Sequence, residues 1–348
     1  AYSRKSRSST PVLDRSRGRK TKSSILYYPW IRGCRGPCFW FKNLTFSFKM
    51  SYLILAAGFL VLLLGGKFLV DGASAIAARL GLSPGLIGLT IVAFGTSAPE
   101  LLVSDIAIGN VIGSNISNIT LVLGISAIIF PIYIQKSTLK LDYPFTLISS
   151  VIFYAMSFSG VISFFEGIIL FSCFVGLNWY FFKTIERVEF TEDEAIQMKK
   201  KSPWLAVLQL LGGAAGLYFG SELVVGNASL IARNYGVSER IIGVTIIAIG
   251  TSLPELVTSV LAALKKETEM ALGNILGSNI MNVFSIIGIT ALIKPIEVAT
   301  DFIYTDFIWM LAFTILLLPI MRIDYKISRL NGLTLFLGYL LYIYFIIS

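Results

Sequence analysis

"GTSAPE" at Gly95 to Glu100 and "GTSLPE" at Gly250 to Glu255 place one phrase twice inside strongly apolar sequence. A carboxylate and a helix-breaking proline are both costly in such surroundings. Around them, "GLSPGLIGLTIVAFGTSAPELLVS" from Gly81 lies over "GVSERIIGVTIIAIGTSLPELVTS" from Gly236, an offset of 155 residues with 14 of 24 positions identical. Further on, "AIGNVIGSNISNITLVLGI" from Ala107 lies over "ALGNILGSNIMNVFSIIGI" from Ala271. Chance likeness between apolar helices exchanges Leu for Ile, but does not reproduce Thr-Ser-x-Pro-Glu and Gly-Ser-Asn in order. The chain is a duplicated unit.

Apolar runs long enough for a bilayer recur from Leu53 to the C-terminus, in a chain of 348 residues that is 55% hydrophobic and 14% charged with a mean hydropathy of +0.77. This composition predicts an all-α polytopic membrane protein. Loop punctuation yields about ten transmembrane helices, near 52–78, 84–104, 106–130, 144–159 and 162–182, then 203–233, 239–264, 270–293, 305–321 and 329–347. Residues 51–182 form a first five-helix repeat and 203–348 a second, joined by a charged loop at 183–202. Five is odd, so the second copy enters the bilayer from the opposite side. Two inverted five-helix repeats are an architecture of transporters that work around a midplane site.

The net charge of +9 resides in the basic tail 1–49, which holds 12 Lys/Arg against Asp14. That segment reads as a leader or as sequence ahead of a start at Met50, outside the fold, and not as a nucleic-acid surface. Cys34, Cys38 and Cys173 make no disulfide or zinc pattern, and the absence of histidine excludes HExxH and Ser-His hydrolysis within this chain.

On a helix, Ala93, Thr96, Ser97 and Glu100 share one face, as do Ala248, Thr251, Ser252 and Glu255. Proline at 99 and 254 supplies no N–H, so each is expected to release the carbonyl four residues back and open an oxygen cage beside the carboxylate. Oxygen-only ligands select hard cations such as Ca²⁺. Asn110, Ser114 and Asn118, with Asn274, Ser278 and Asn282, add a polar stripe at four-residue spacing, beside a small-residue stripe at Gly109, Gly113, Gly273 and Gly277. A structural partner for the two glutamates would have to be Lys67 or Arg79, and the repeat sets Glu222 opposite Lys67.

These paired phrases resemble the two alpha-repeats of the calcium/cation antiporter superfamily, and within it the sodium/calcium exchangers, above all their compact prokaryotic members. The resemblance covers about 51 to 348. It implies Glu100 and Glu255 as Ca²⁺ ligands shared with Na⁺, with Thr96 and Thr251 assisting. It implies Ser97, Ser252, Ser114 and Ser278 with the Ala93 and Ala248 carbonyls for Na⁺, and Asn118 and Asn282 in the same set. Several exchangers carry Asp at the position of Asn282. The implied activity is exchange of Na⁺ for Ca²⁺ by alternating access, moving one charge per cycle, worth roughly 2.3 kcal/mol per 100 mV. A Ca²⁺/H⁺ antiporter is the near alternative, and a cation channel a distant one. The expected chain needs no cofactor, binds no nucleic acid, carries Ca²⁺ and Na⁺, sits in the lipid bilayer of the cell membrane and works as a monomer.

The copies differ in one respect. Glu255 precedes Asn274 by 19 positions but Glu100 precedes Asn110 by 10, so the first copy lacks nine residues opposite "VLAALKKET" at Val260 to Thr268. Nine helical residues span about 13.5 Å. We read that gap as not native.

Overall fold

The computed structural model describes residues 39–102, 108–184, 202–238 and 242–347. Most of the expected tail and connecting loop, and the join between the expected second and third spans, lie outside the described residues. The chain divides into two units, Ala1–Phe46 and Ser47–Ser348.

Helix α1 runs Phe39–Leu80, starting earlier than the expected 52. Its last turn ends on Gly81, whose φ of +66° is cheap only without a Cβ, and Gly236 ends the corresponding helix of the second copy in the same way at +78°. Helix α2 (84–102) begins at Ser83, whose Oγ accepts from Leu86 N at 3.2 Å, with Pro84 in the first turn where its missing N–H is harmless. Then follow α3 (Ile108–Ile129), α4 (138–157) and α5 (Phe164–Thr184). The second copy supplies α6 (Pro203–Asn234), α7 (243–264), α8 (Thr268–Ile293), α9 (Phe302–Arg322) and α10 (Arg329–Ile347). Among the described residues, seven helices are long and apolar enough to cross a membrane, and the bent α7 makes an eighth. The apolar stretch Pro84–Ser97 of α2 is shorter than that standard.

The duplication is visible in local distortions. Wider π turns interrupt α2 at Gly88–Val92 and α7 at Gly243–Ile247, α3 at Asn118–Val122 and α8 at Asn282–Ile287, and open α4 at Thr138–Asp142 and α9 at Phe302–Asp306. Each pair falls at matching repeat positions. Such turns loosen the backbone ladder and concentrate at functional places.

The copies also exchange contacts reciprocally. Strand β1 (Ile132–Tyr133) pairs antiparallel with β4 (Lys326–Ile327), and β2 (Val161–Ile162) with β3 (Ile296–Glu297). Because β1 corresponds to β3 and β2 to β4, each ribbon takes one strand from each copy. Glycine makes the closest helix contacts possible: a Cβ at Gly65 would meet Leu217 N at 2.7 Å, and one at Gly220 would meet Leu62 N at 2.7 Å, the mirror contact of the α1–α6 crossing.

The two prolines act differently on their helices. Helix α7 bends by 53° at Ser252 (φ −91°, ψ 4°), and Pro254 sits in the first turn of the piece Leu253–Leu264. In α2 the piece Ala93–Leu102 continues through Pro99. A physical cause lies on the neighbouring helix. Ser221 of α6 donates Oγ to Gly250 O at 2.8 Å, occupying the carbonyl that Pro254 leaves without an N–H. The matching position of the first copy is Gly66, which has no hydroxyl to offer. The released carbonyl of the second copy is thus held by a side chain and not presented as an open cage.

Candidate functional site

The site is built where α2 and α3 of the first copy meet α7 and α8 of the second. Helix α2 lies directly on α8: a Cβ at Gly88 would stand 2.4 Å from Met270 O, and at Gly277 2.3 Å from Leu89 O. Gly273 and Gly277 therefore act as the expected small-residue stripe, while Gly109 packs against the Phe302 ring. This close approach brings the phrase of one copy onto the stripe of the other.

Glu255 is 1% exposed and is received by hydroxyls from both copies. Ser97 Oγ donates to its Oε1 at 3.0 Å and Ser278 Oγ to the same atom at 3.5 Å. Thr96 Oγ1 lies 3.3 Å from Ser278 Oγ, 3.1 Å from Asn274 Oδ1 and 3.2 Å from Ala93 O. Asn274 in turn donates Nδ2 to Ser259 Oγ at 2.9 Å, so its role is to brace α8 against α2 and α7. Ser252 reaches the first copy through Ser117, whose Oγ is 2.5 Å away and also lies 3.0 Å from Ser114 O. The structure thus gathers Ala93, Thr96, Ser97, Ser278 and Glu255 in one cluster and links Ser252, through Ser117, to the backbone carbonyl of Ser114. Thr251 is half-buried beside them. Glu100 and Ala248 lie on α2 and α7, but their side chains are outside the described residues.

A second polar layer joins α3 to α8, and its inner pair, Asn115 and Asn279, was not singled out by the sequence. Asn115 Nδ2 donates to Asn279 O at 3.5 Å, and Asn279 Nδ2 to Asn115 O at 3.2 Å. Asn118 Nδ2 donates to Asn279 Oδ1 at 3.0 Å, and Asn282 Nδ2 to Asn115 Oδ1 at 3.0 Å. The only hint in the sequence was that Asn115 and Asn279 hold the third place of both Gly-Ser-Asn phrases. Ser117 left no such hint, because Met281 takes its place in the other copy.

Buried polar atoms in folded proteins are nearly always hydrogen-bonded, so those without partners call for explanation. Glu255 Oε2, Ser114 Oγ, Asn118 Oδ1 and Asn282 Oδ1 are all buried without one. Every atom in this set is oxygen, and one belongs to a carboxylate. Lys67 and Glu222 are both exposed, and the described residues include no ion pair to Glu255. A carboxylate buried among hydroxyl and amide oxygens with no protein cation suits a hard, dehydrated metal cation.

Fold and site together define a helical, multi-pass membrane protein with a buried oxygen site between two copies of one unit. The sequence model of the sodium/calcium exchanger protein family matches residues 50–183 and 205–348. The chain belongs to that family, a family of transporters. It is 31% identical over 344 residues to the sodium/calcium exchanger MaX1 of Methanosarcina acetivorans, covering 84% of this chain and 97% of the relative. It is 33% identical over 272 residues to the inner membrane protein YrbG of Escherichia coli, covering 72% and 82%. A solved structure of the sodium-calcium exchanger NCX_Mj superposes with a TM-score of 0.74 at 30% identity, covering 85% of this chain and 99% of that one.

Proposed function

We propose that this chain is a secondary active antiporter that exchanges Na⁺ for Ca²⁺ by alternating access at overlapping sites. The observation that carries the reading is Glu255: a buried carboxylate with one oxygen held by Ser97 and Ser278, the other without a partner, and further partnerless oxygens on Ser114, Asn118 and Asn282. An ionised group in a bilayer interior costs a few kcal/mol or more unless a charge meets it, and a transported cation supplies that charge. Membership of a family named for sodium and calcium exchange supports the choice of ions. The ligand set comprises Glu100, Glu255, Thr96, Thr251, Ser97, Ser252, Ser114, Ser278, Asn118 and Asn282 with the carbonyls of Ala93 and Ala248.

One ion with two charges and several with one charge satisfy the same carboxylates alternately, so Na⁺ and Ca²⁺ displace each other. Ten spans in two inverted five-helix repeats provide the two-faced frame, a reading supported by the reciprocal ribbons, the paired π turns and the mirror contacts at Gly65 and Gly220. The chain works as a monomer in the cell membrane.

The test is Ca²⁺ uptake into proteoliposomes. Uptake should follow an imposed Na⁺ gradient, ignore a pH gradient, and vanish in Glu255→Gln while the protein stays folded. Uptake driven by pH alone would replace Na⁺ with H⁺ as the counter-ion. Retained uptake in Glu255→Gln would remove that residue from the site.

A further inference from the structure

We propose that Asn115 and Asn279 are positioning residues that lock the amides of Asn282 and Asn118 with their carbonyl oxygens turned toward the transported cation. The proposal rests on the cation-site reading above. An amide side chain has an oxygen and an NH₂ of nearly the same size at its end, and a half-turn about its last bond exchanges them. Only the oxygen can coordinate a cation. An Asn ligand therefore requires something that decides which end faces the ion.

Here the decision traces back to atoms that have no choice. The backbone oxygens of Asn115 and Asn279 can only accept, and each accepts the side-chain NH₂ of the other residue, at 3.2 and 3.5 Å. Met310 Sδ, 3.8 Å from Asn115 Nδ2, is a further acceptor on the same side. With their NH₂ groups committed, Asn115 and Asn279 can offer only Oδ1 to the next amide. Asn282 and Asn118 must then present Nδ2 to those oxygens, as they do at 3.0 Å each. Their own Oδ1 atoms are left over, buried and without a partner. The orientation is thus passed from backbone to inner amide to outer amide, crosswise between the copies. Asn118 and Asn282 also stand at the first residue of a π turn, where the helix ladder is loosest and a fixed side chain has most need of outside support.

The same chain of bonds calls for an amide at 282. A carboxylate has no hydrogen to give Asn115 Oδ1, so an acid at 282 would set acceptor against acceptor. In this network, Asn282 is the residue that completes the lock.

The experiment is a set of double-mutant cycles read as the Ca²⁺ concentration giving half of the Ca²⁺-dependent rise in melting temperature, with Na⁺-driven Ca²⁺ uptake measured alongside on the same full-length protein. Removing a group that orients a ligand typically costs about 10–100-fold in metal affinity. Asn115→Ala should therefore raise the half-saturating Ca²⁺ about tenfold or more. Asn115→Ala combined with Asn282→Ala should be no worse than Asn282→Ala, because nothing remains to orient. Asn115→Ala combined with Asn118→Ala should multiply the two effects. The mirror cycle of Asn279 with Asn118 carries the same test should Asn115→Ala not fold. Asn115→Asp, which keeps an accepting oxygen for Asn282 but sets its second oxygen against Asn279 O, should recover part of the affinity lost in Asn115→Ala. Unchanged affinity in Asn115→Ala and Asn279→Ala, effects that multiply in every combination, or failure of Asn115→Asp to recover any of the lost affinity would each overturn the proposal. A wild-type protein that responds to Ca²⁺ but shows no Na⁺-driven uptake refutes the exchange reading alone and leaves the lock standing. One that shows no Ca²⁺ response overturns the lock.

Discussion

Gly277→Ala probes whether the approach of α2 to α8 sets the site. The added methyl would stand 2.3 Å from Leu89 O, 2.7 Å from Leu89 Cα and 2.8 Å from Ala93 Cβ, two of them backbone atoms that cannot rotate away. Reaching an ordinary contact of 3.4 Å from 2.3 Å requires α2 to withdraw by roughly 1 Å. That helix carries Thr96 and Ser97. A withdrawal of about 1 Å stretches the 3.0 Å bond from Ser97 to Glu255 and the 3.1 Å bond from Thr96 to Asn274 beyond hydrogen-bonding range. Misplacing reacting or binding groups by 1 Å costs on the order of 100-fold in function, and overpacking costs about 1–3 kcal/mol of stability. We expect Na⁺-driven Ca²⁺ uptake to fall by one to two orders of magnitude, with a lower melting temperature. Gly85→Ala is the control, because its methyl would meet nothing nearer than 3.6 Å on the same pair of helices. Full uptake at an unchanged melting temperature in Gly277→Ala, or equal damage in Gly85→Ala, would refute the reasoning.

Three other outcomes follow from particular contacts. Ser221→Ala strips the donor from Gly250 O, a buried acceptor that Pro254 also leaves unserved, and should cost about 1–3 kcal/mol in thermal or denaturant unfolding; Ser221→Thr should retain most of it. Burial holds the Glu267 carboxyl above the usual carboxylate range, against the hydrogen bond from Ser74 and the nearby Lys265, so its ionised form is the disfavoured one in the folded turn. Its contribution to stability is therefore present in acid and lost as pH rises through the raised value, and Glu267→Gln should flatten the melting temperature against pH between mild acid and neutrality. Last, Ser229 corresponds to Ser74, but its Oγ is buried without a partner, whereas Ser74 donates to Glu267 at 2.7 Å from within the nine residues that the first copy lacks. Inserting "VLAALKKET" between Ser104 and Asp105 should raise both melting temperature and uptake, and no change in either would show that the short form is complete.

Much of this architecture was legible because duplication repeats whatever function constrains. The Thr-Ser-x-Pro-Glu and Gly-Ser-Asn phrases marked the helices that meet at the site, and helix ends fell within a few residues of those read from hydropathy, apart from the early starts of α1 and α4. What escaped was set by which helix lies across which. Asn115 and Asn279 looked like interior residues of a small-residue phrase until α3 crossed α8 and paired them. Ser117 and Ser221 have Met281 and Gly66 as counterparts, so repetition could not flag them, and the bend of α7 without a matching bend in α2 hung on one of those two. A helix-breaking proline states that a carbonyl is released, but its sequence does not state who collects it.

The two ribbons have a mechanical consequence. β1 and β2 flank α4, β3 and β4 flank α9, and the pairs β1–β4 and β2–β3 fasten the start of each helix to the end of the other. The fastenings are separated by the length of α4, about 30 Å for its twenty residues. Two antiparallel rods pinned at both ends cannot slide lengthwise past one another without tearing a ribbon, and Phe153 packed edge-on against Phe307 at 4.8 Å resists their parting between the pins. α4 and α9 therefore form a closed girder, and any relative movement of helices about the site has to be taken up outside it.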